Sequence, residues 1–250
     1  MKKLVYTLSI LLLAALAVSA QTTEKKTKWW EKKQDVAGAM QIQVTYRQTD
    51  LTQLDAALNS AGISSVADNN IWINASMSHI HHKWIFEDGL GFTPFSSSEA
   101  NGVKTRFNQY QAYFRAGYDI SSSKDFRVFP FAGLNFSEAV LSLEDKNKEQ
   151  SASNFTQQLA TNSLSKTLYQ SNFGIELGAG FDYVIKLKPK TIDCFTVQRN
   201  IPIGLRAGYY IHAVNGDWKV NDYTLNNAPN KNQGAVFVSL NIGLGYEIRK

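Results

Sequence analysis

The sequence predicts an all-β fold: an eight-stranded antiparallel up-and-down transmembrane β-barrel with one short helix in its first outer loop. Three observations carry that expectation. The first is alternation, because successive side chains of a strand point to opposite faces. In the segment 169–185, Tyr169, Phe173, Ile175, Leu177, Ala179, Phe181, Tyr183 and Ile185 share one parity, broken by Ser171. Gln170, Asn172, Gly174, Glu176, Gly178, Gly180 and Asp182 share the other. The second is length, since a soluble strand usually has ~5–6 residues and this one runs roughly three times as far. The third is that connections alternate long and short, as they do in bacterial barrels with long outer loops and tight periplasmic turns.

The elements follow in order. Lys2-Lys3, the apolar run from Leu4 to Leu16, and Ala17-Val18-Ser19-Ala20 read as a secretory signal peptide over residues 1–20. Residues 21–36 are basic and unpatterned, which suits a flexible periplasmic segment. The barrel is expected over residues 37–250. Its eight alternating segments are Met40–Arg47, Asn70–His81, Lys83–Phe95, Arg106–Ile120, Phe126–Leu141, Tyr169–Leu187, Ile201–Ala213 and Ala235–Arg249. Asp88 breaks the parity of the third, so a bulge is expected there. Residues 48–69, 96–105, 142–168 and 214–234 are the long connections, which places both termini in the periplasm. On that topology Trp84, Phe86, Tyr118, Phe126, Tyr183 and Tyr246 form a periplasmic aromatic girdle. Phe92, Tyr110, Phe136 and Tyr169 form an outer one.

Within the first outer loop, Asp50 is suited to cap a helix with Gln53 at the capping-box position. Leu51, Leu54 and Leu58 share one face and Gly62 is the stop. Such a helix either decorates the rim or acts as a lid. An eight-stranded barrel is only just wide enough for its own side chains, so the interior is expected to be filled. Parity aims Glu87, Arg115, Asp119, Arg127, Glu176, Asp182, Arg206, Glu247 and Arg249 inward. Charges in a low-dielectric interior must pair, so these predict an ion-pair network that either seals the lumen or gates a narrow path. The many inward glycines leave either a small cavity or room for Tyr113, Phe129, Phe131, Tyr210 and Phe237 to cover them.

Composition excludes several classes. Signal cleavage removes Lys2 and Lys3 and no acid, lowering an already mild formal charge of +5, so there is no nucleic-acid footprint. The lone Cys194 allows no internal disulfide and no cysteine-based metal site. His79 and His81 share a face but lack a third ligand, so neither metal nor other cofactor is expected. A serine hydrolase would need serine and histidine together, yet Ser78 and His79 have opposite parity. His212 with Asp217 is too thin a signal for a barrel protease. A soluble lipid-binding barrel would place the apolar parity inside; strand length, girdles and glycine-rich polar faces favour the membrane.

The last strand carries Asn241-x-Gly243-x-x-Tyr246-x-Ile248, which resembles the carboxy-terminal assembly signal of outer-membrane proteins. That family usually ends on an aromatic residue, whereas this chain ends Arg249-Lys250. Residues 37–250 as a whole resemble small eight-stranded outer-membrane barrels of the Bacteroidetes type. The resemblance implies the outer membrane of a Gram-negative bacterium, contact with outer-membrane lipid and lipopolysaccharide, and insertion by the barrel assembly machinery. It carries over no catalytic residue. The expected role is a structural or surface-binding protein acting through its outer loops, chiefly 48–69 and 142–168. A narrow gated pore is the alternative, and a lipid-modifying enzyme comes third.

Overall fold

A computed structural model describes residues 36–66, 70–123, 125–146, 165–192, 195–229 and 234–249. The expected signal peptide, most of the leader, Cys194 and residues 147–164 of the third outer connection lie outside the described residues. The elements are β1 (Val36–Arg47), α1 (Thr52–Ser60), β2 (Ile71–His81), β3 (Trp84–Phe92), β4 (Ser96–Ala100), β5 (Val103–Tyr118) and β6 (Phe126–Asp145). They continue with β7 (Lys166–Lys186), β8 (Lys190–Ile192), β9 (Phe195–Asn215), β10 (Lys219–Val220), β11 (Tyr223–Thr224) and β12 (Gly234–Arg249).

Eight of these strands are the staves of a closed antiparallel barrel, in the order β1, β2, β3, β5, β6, β7, β9, β12. Closure is explicit in the pairing, since β1 bonds to both β2 and β12 while β9 bonds to both β7 and β12. Every stave therefore has two neighbours and its backbone groups are satisfied within the wall, the condition for crossing lipid. The first stave starts at Val36, so the leader ends earlier than the sequence suggested.

Side chains are distributed inside out relative to a soluble barrel. Met40, Leu240 and Leu244 on the outer wall are 67%, 65% and 71% exposed, whereas inward Gln43, Asn135 and Ser239 are 0% exposed. This excludes the soluble lipid-binding alternative, which needs the reverse. At one end of the wall Trp84 stands opposite Tyr118 with ring centroids 5.3 Å apart, and Phe126 stands opposite Tyr183. At the other end Phe92 stands opposite Tyr110, and Phe136 meets Phe173 at 5.0 Å.

Three local expectations are corrected. The ladder runs through Asp88 without interruption, Met77 on one side and Phe114 on the other, so there is no bulge there. The irregularity falls beyond Phe92: four steps from Phe92 to Ser96 oppose three from Tyr110 to Phe107, and the Thr93 hydroxyl accepts the Gln109 N–H at 2.8 Å. Residues 96–105 are likewise not an open loop. β4 pairs with β5 through a two-residue turn at Asn101 and Gly102, both at positive φ, as a tight hairpin turn requires. Tyr169 is not part of the outer girdle. Its hydroxyl accepts the Asp222 N–H at 3.1 Å, which ties it to the β10–β11 hairpin at the extended outer end of β7.

Candidate functional site

The interior at membrane depth starts from one row of the ladder. Glu87 on β3 faces Arg115 on β5, Arg115 faces Gly133 on β6, and Gly133 faces Glu176 on β7. The glycine is what lets the row connect. A Cβ at Gly133 would sit 2.8 Å from the Arg115 Cγ, so its absence lets that side chain lie across β6 and reach two staves over. Arg115 then donates through Nη1 to Glu87 Oε1 at 2.7 Å and through Nε to Glu176 Oε2 at 2.6 Å. Arg206 on β9 donates through Nη1 to Asp182 Oδ1 at 2.6 Å and through Nη2 to Glu87 Oε2 at 3.3 Å. Glu87 is the hub, since it also accepts from Gln43 Nε2 at 2.9 Å. Amides extend the network: Asn135 donates to Glu176 at 2.7 Å and Gln111 donates to Asn74 at 2.6 Å.

Arg47, which the sequence reading did not count, completes it. Its guanidinium donates to Gln111 and lies between the rings of Trp72 and Tyr210, 4.4 and 4.7 Å from their centroids. Three guanidiniums thus stand with three carboxylates, Glu87, Glu176 and Asp182, all buried. Parity of β1 already turned Arg47 inward; its place at the strand end hid it.

Not every expected member joins. Asp119 directly follows β5 and accepts the Ser121 N–H at 2.9 Å, fastening the turn. Arg127 is half-buried opposite Asp182, but the ion pair of Asp182 is with Arg206. Glu247 is half-buried near the same end of the wall, opposite Ala37 on β1, and Arg249 closes β12 opposite Thr196, its side chain outside those described. Asn241 donates to Gln41 at 3.0 Å, Tyr246 lies on the outward wall at the end that carries Trp84 and Tyr118, Gly243 pairs with Gln41, and Ile248 pairs with Val36. Around the charges, aromatic rings cover the inward glycines. A Cβ at Gly89 would strike Tyr113, one at Gly174 would strike Tyr210, and one at Gly180 would strike Phe129. The glycines therefore leave space that rings fill.

At the mouth on the side of α1 the chemistry changes. Helix α1 presents Leu54 and Leu58, with Leu51 just before it, to Val66, Phe107, Ala139, Leu141 and Trp218, all buried. The helix begins one residue later than expected. Leu51 occupies the cap position because it is anchored in this cluster, and Asp50 instead accepts the Thr52 N–H at 2.9 Å. Asp55 accepts the Val66 N–H at 3.0 Å, which folds the following loop back over the helix. Gly62, at φ +73°, turns the chain out of it. The partners on β5 and β6 were legible in principle: odd-numbered Ala139, Leu141 and Leu143 continue the inward parity of β6 but are apolar.

Beside this plug a groove of about 730 Å³ opens at the rim. Tyr46, Tyr209 and Val236 of the outward wall line its lower side, and Gln48, Asp50, Asp55 and Asn70 its upper side. A second space of about 20 Å³ shares Gln48, Thr49 and Asp50 with it and touches Arg47, Gln109, Ser137 and His212, room for about one water. The wall also separates the residues a hydrolase would need. Ser78 is 4% exposed and faces the interior, while His79 faces outward.

No protein-family model matches the sequence, and no curated protein matches it. Several solved structures resemble the fold. Ail, the attachment invasion locus protein of Yersinia pestis, solved in complex with the heparin analogue sucrose octasulfate, is 12% identical, with 85% of this chain and 99% of that chain covered and a TM-score of 0.38. Neisserial surface protein A is 13% identical, covering 86% and 99%, with a TM-score of 0.37. The outer membrane protein OprG from Pseudomonas aeruginosa is 14% identical, covering 87% and 97%, with a TM-score of 0.35.

Proposed function

We propose that this chain is an outer-membrane barrel of a Gram-negative bacterium that does not conduct solutes and works through its outer surface. The observation that supports it is double closure of the interior. An ion-pair network fills the lumen at membrane depth, and the leucine face of α1 fills the mouth above it. What is left open to solvent is the outer rim, where the groove beside α1 offers polar groups above an apolar wall. That combination suits an amphipathic ligand, such as an outer-leaflet lipopolysaccharide, or a glycan. The alternation of turns and loops supports both termini in the periplasm, and the Asn241–Ile248 motif supports insertion by the assembly machinery as a Bacteroidetes-type barrel. No enzymatic role is proposed, because the Ser78 and His79 side chains lie on opposite sides of the wall.

The test is binding set beside transport. Refolded full-length protein, and a variant with Thr52–Ser60 replaced by a Gly-Ser linker, are titrated with purified lipopolysaccharide and a panel of soluble glycans. Sugar entry into proteoliposomes is followed in parallel. Loop-dependent binding without sugar entry is the expected result. Sugar entry through the intact protein establishes the rival reading, a narrow gated pore.

A further inference from the structure

Among the described residues, one carboxylate stands on the outer wall between the two aromatic girdles. Asp88 lies on β3 four residues from Trp84 and four from Phe92, midway between the two aromatic girdles on its own strand. With no bulge to turn it inward, it projects from the wall among Met77, Phe86, Leu90 and Phe114, and its side chain is 55% exposed. Among the described residues, no other outward position between the girdles holds a carboxylate. Its neighbour His79 on β2 is also outward, 57% exposed, with Nε2 3.7 Å from Asp88 Oδ1. A carboxylate facing acyl chains at mid-depth is unfavourable. Polar groups at such places are usually covered by protein that satisfies them.

Two further features occupy the same face. Small outward side chains, Ala75 beside Leu90 and Ala112, and Ala116 beside Phe86, flatten the wall around Asp88. Just above them an apolar hollow of about 390 Å³ is lined by Ile42, Ile73, Ala75, Leu90, Phe92 and Tyr110. Small residues and a hollow permit close approach of another packed surface, the main attraction available between proteins within lipid.

We propose that the β2–β3–β5 face is a dimerisation surface within the membrane, and that its occupant is a second copy of this chain. The charges argue for self-association. His79 and Asp88 sit side by side on adjacent strands, so a two-fold axis between them sets the histidine of each copy against the aspartate of the other. One patch then serves both partners, as an isologous contact requires. The His79 and Asp88 side chains of the two copies then form reciprocal pairs shielded from lipid on both sides.

Cross-linking of the full-length mature protein in lipid bilayers tests this, in a Cys194→Ser background with a reporter Ala116→Cys beside the pair. Disulfide dimers should form, and mass measurement in bilayer nanodiscs should give two copies. Asp88→Leu removes a charge from the lipid wall, so it should fold, as shown by heat-modifiable gel mobility, while weakening the dimer at least tenfold. The exchange His79→Asp with Asp88→His should restore dimers. A monomeric wild type with no cross-link, or a dimer indifferent to Asp88→Leu, overturns the proposal. Wild type that stays monomeric but co-purifies with a different membrane protein also overturns it, by assigning the face to another occupant.

Discussion

At membrane depth the interior is closed by an ion-pair network with aromatic rings packed around it; at the mouth above, one helix away, it is closed by leucines and aromatics without charges. The difference follows from what lies outside the wall at each level. Within the membrane the outward parity takes most of the apolar side chains, so the polar parity is left to fill the lumen, and directional hydrogen bonds across it link staves distant in sequence. Glu87 alone joins β3 to β1, β5 and β9. Above the membrane, water surrounds the extended ends of β5, β6 and β7, and the hydrophobic effect can hold Leu51, Leu54 and Leu58 in place. The network depends on each of its partners, since a half-satisfied buried network is costly. The plug is non-directional and should tolerate change more gradually.

That contrast can be broken most sharply at the hub. Glu87→Leu leaves Arg115 and Arg206 each short of a partner and should cost about 3–5 kcal/mol, as breaking a buried ion pair does. Urea-induced unfolding in detergent micelles should show the loss throughout the barrel. In the plug, Leu58→Ala should cost about 2–3 kcal/mol, the low end for a buried leucine because the loop can settle. Its effect should stay local, seen as faster protease cleavage of residues 48–66 with gel heat-modifiability unchanged. Gly133→Val sharpens the comparison by testing reach rather than charge. The new side chain displaces Arg115 from Glu176 and should cost about 1–3 kcal/mol by overpacking, whereas Gly133→Ala should be milder. Asp50→Ala removes the acceptor for the Thr52 N–H and should cost about 1 kcal/mol, read as a small rise in hydrogen exchange confined to α1.

How much of this was legible can be judged from particular residues. Two-fold periodicity is set by strand geometry itself, so the wall, its closure into eight staves and the inward turn of Glu87, Arg115, Glu176, Asp182 and Arg206 could be read directly. Pairing within the lumen could not. It depends on ladder register and on the glycine at 133, neither of which alternation reports. The helix was legible through its leucine spacing, but its true first residue was not, because Leu51 is fixed by contacts with distant parts of the chain. The apolar inner face of β6 beyond Ser137, at Ala139 and Leu141, was visible as a parity and its continuation at Leu143 was missed because the strand was ended at Leu141. Asp88 signalled an exception correctly, yet its meaning was misread: it marks a site on the outer wall, and the bulge lies at Thr93–Phe95.

Single-channel recording of the refolded full-length mature protein in a planar lipid bilayer tests double closure most directly. Protein shown to be folded by its heat-modifiable mobility should give no steady openings, even when Leu54→Asp and Leu58→Asp together dislodge the plug, because the Glu87 network still fills the lumen. Steady openings in the wild type that change in size with Glu176→Gln or Arg206→Gln would contradict the account and make the lumen itself the working site.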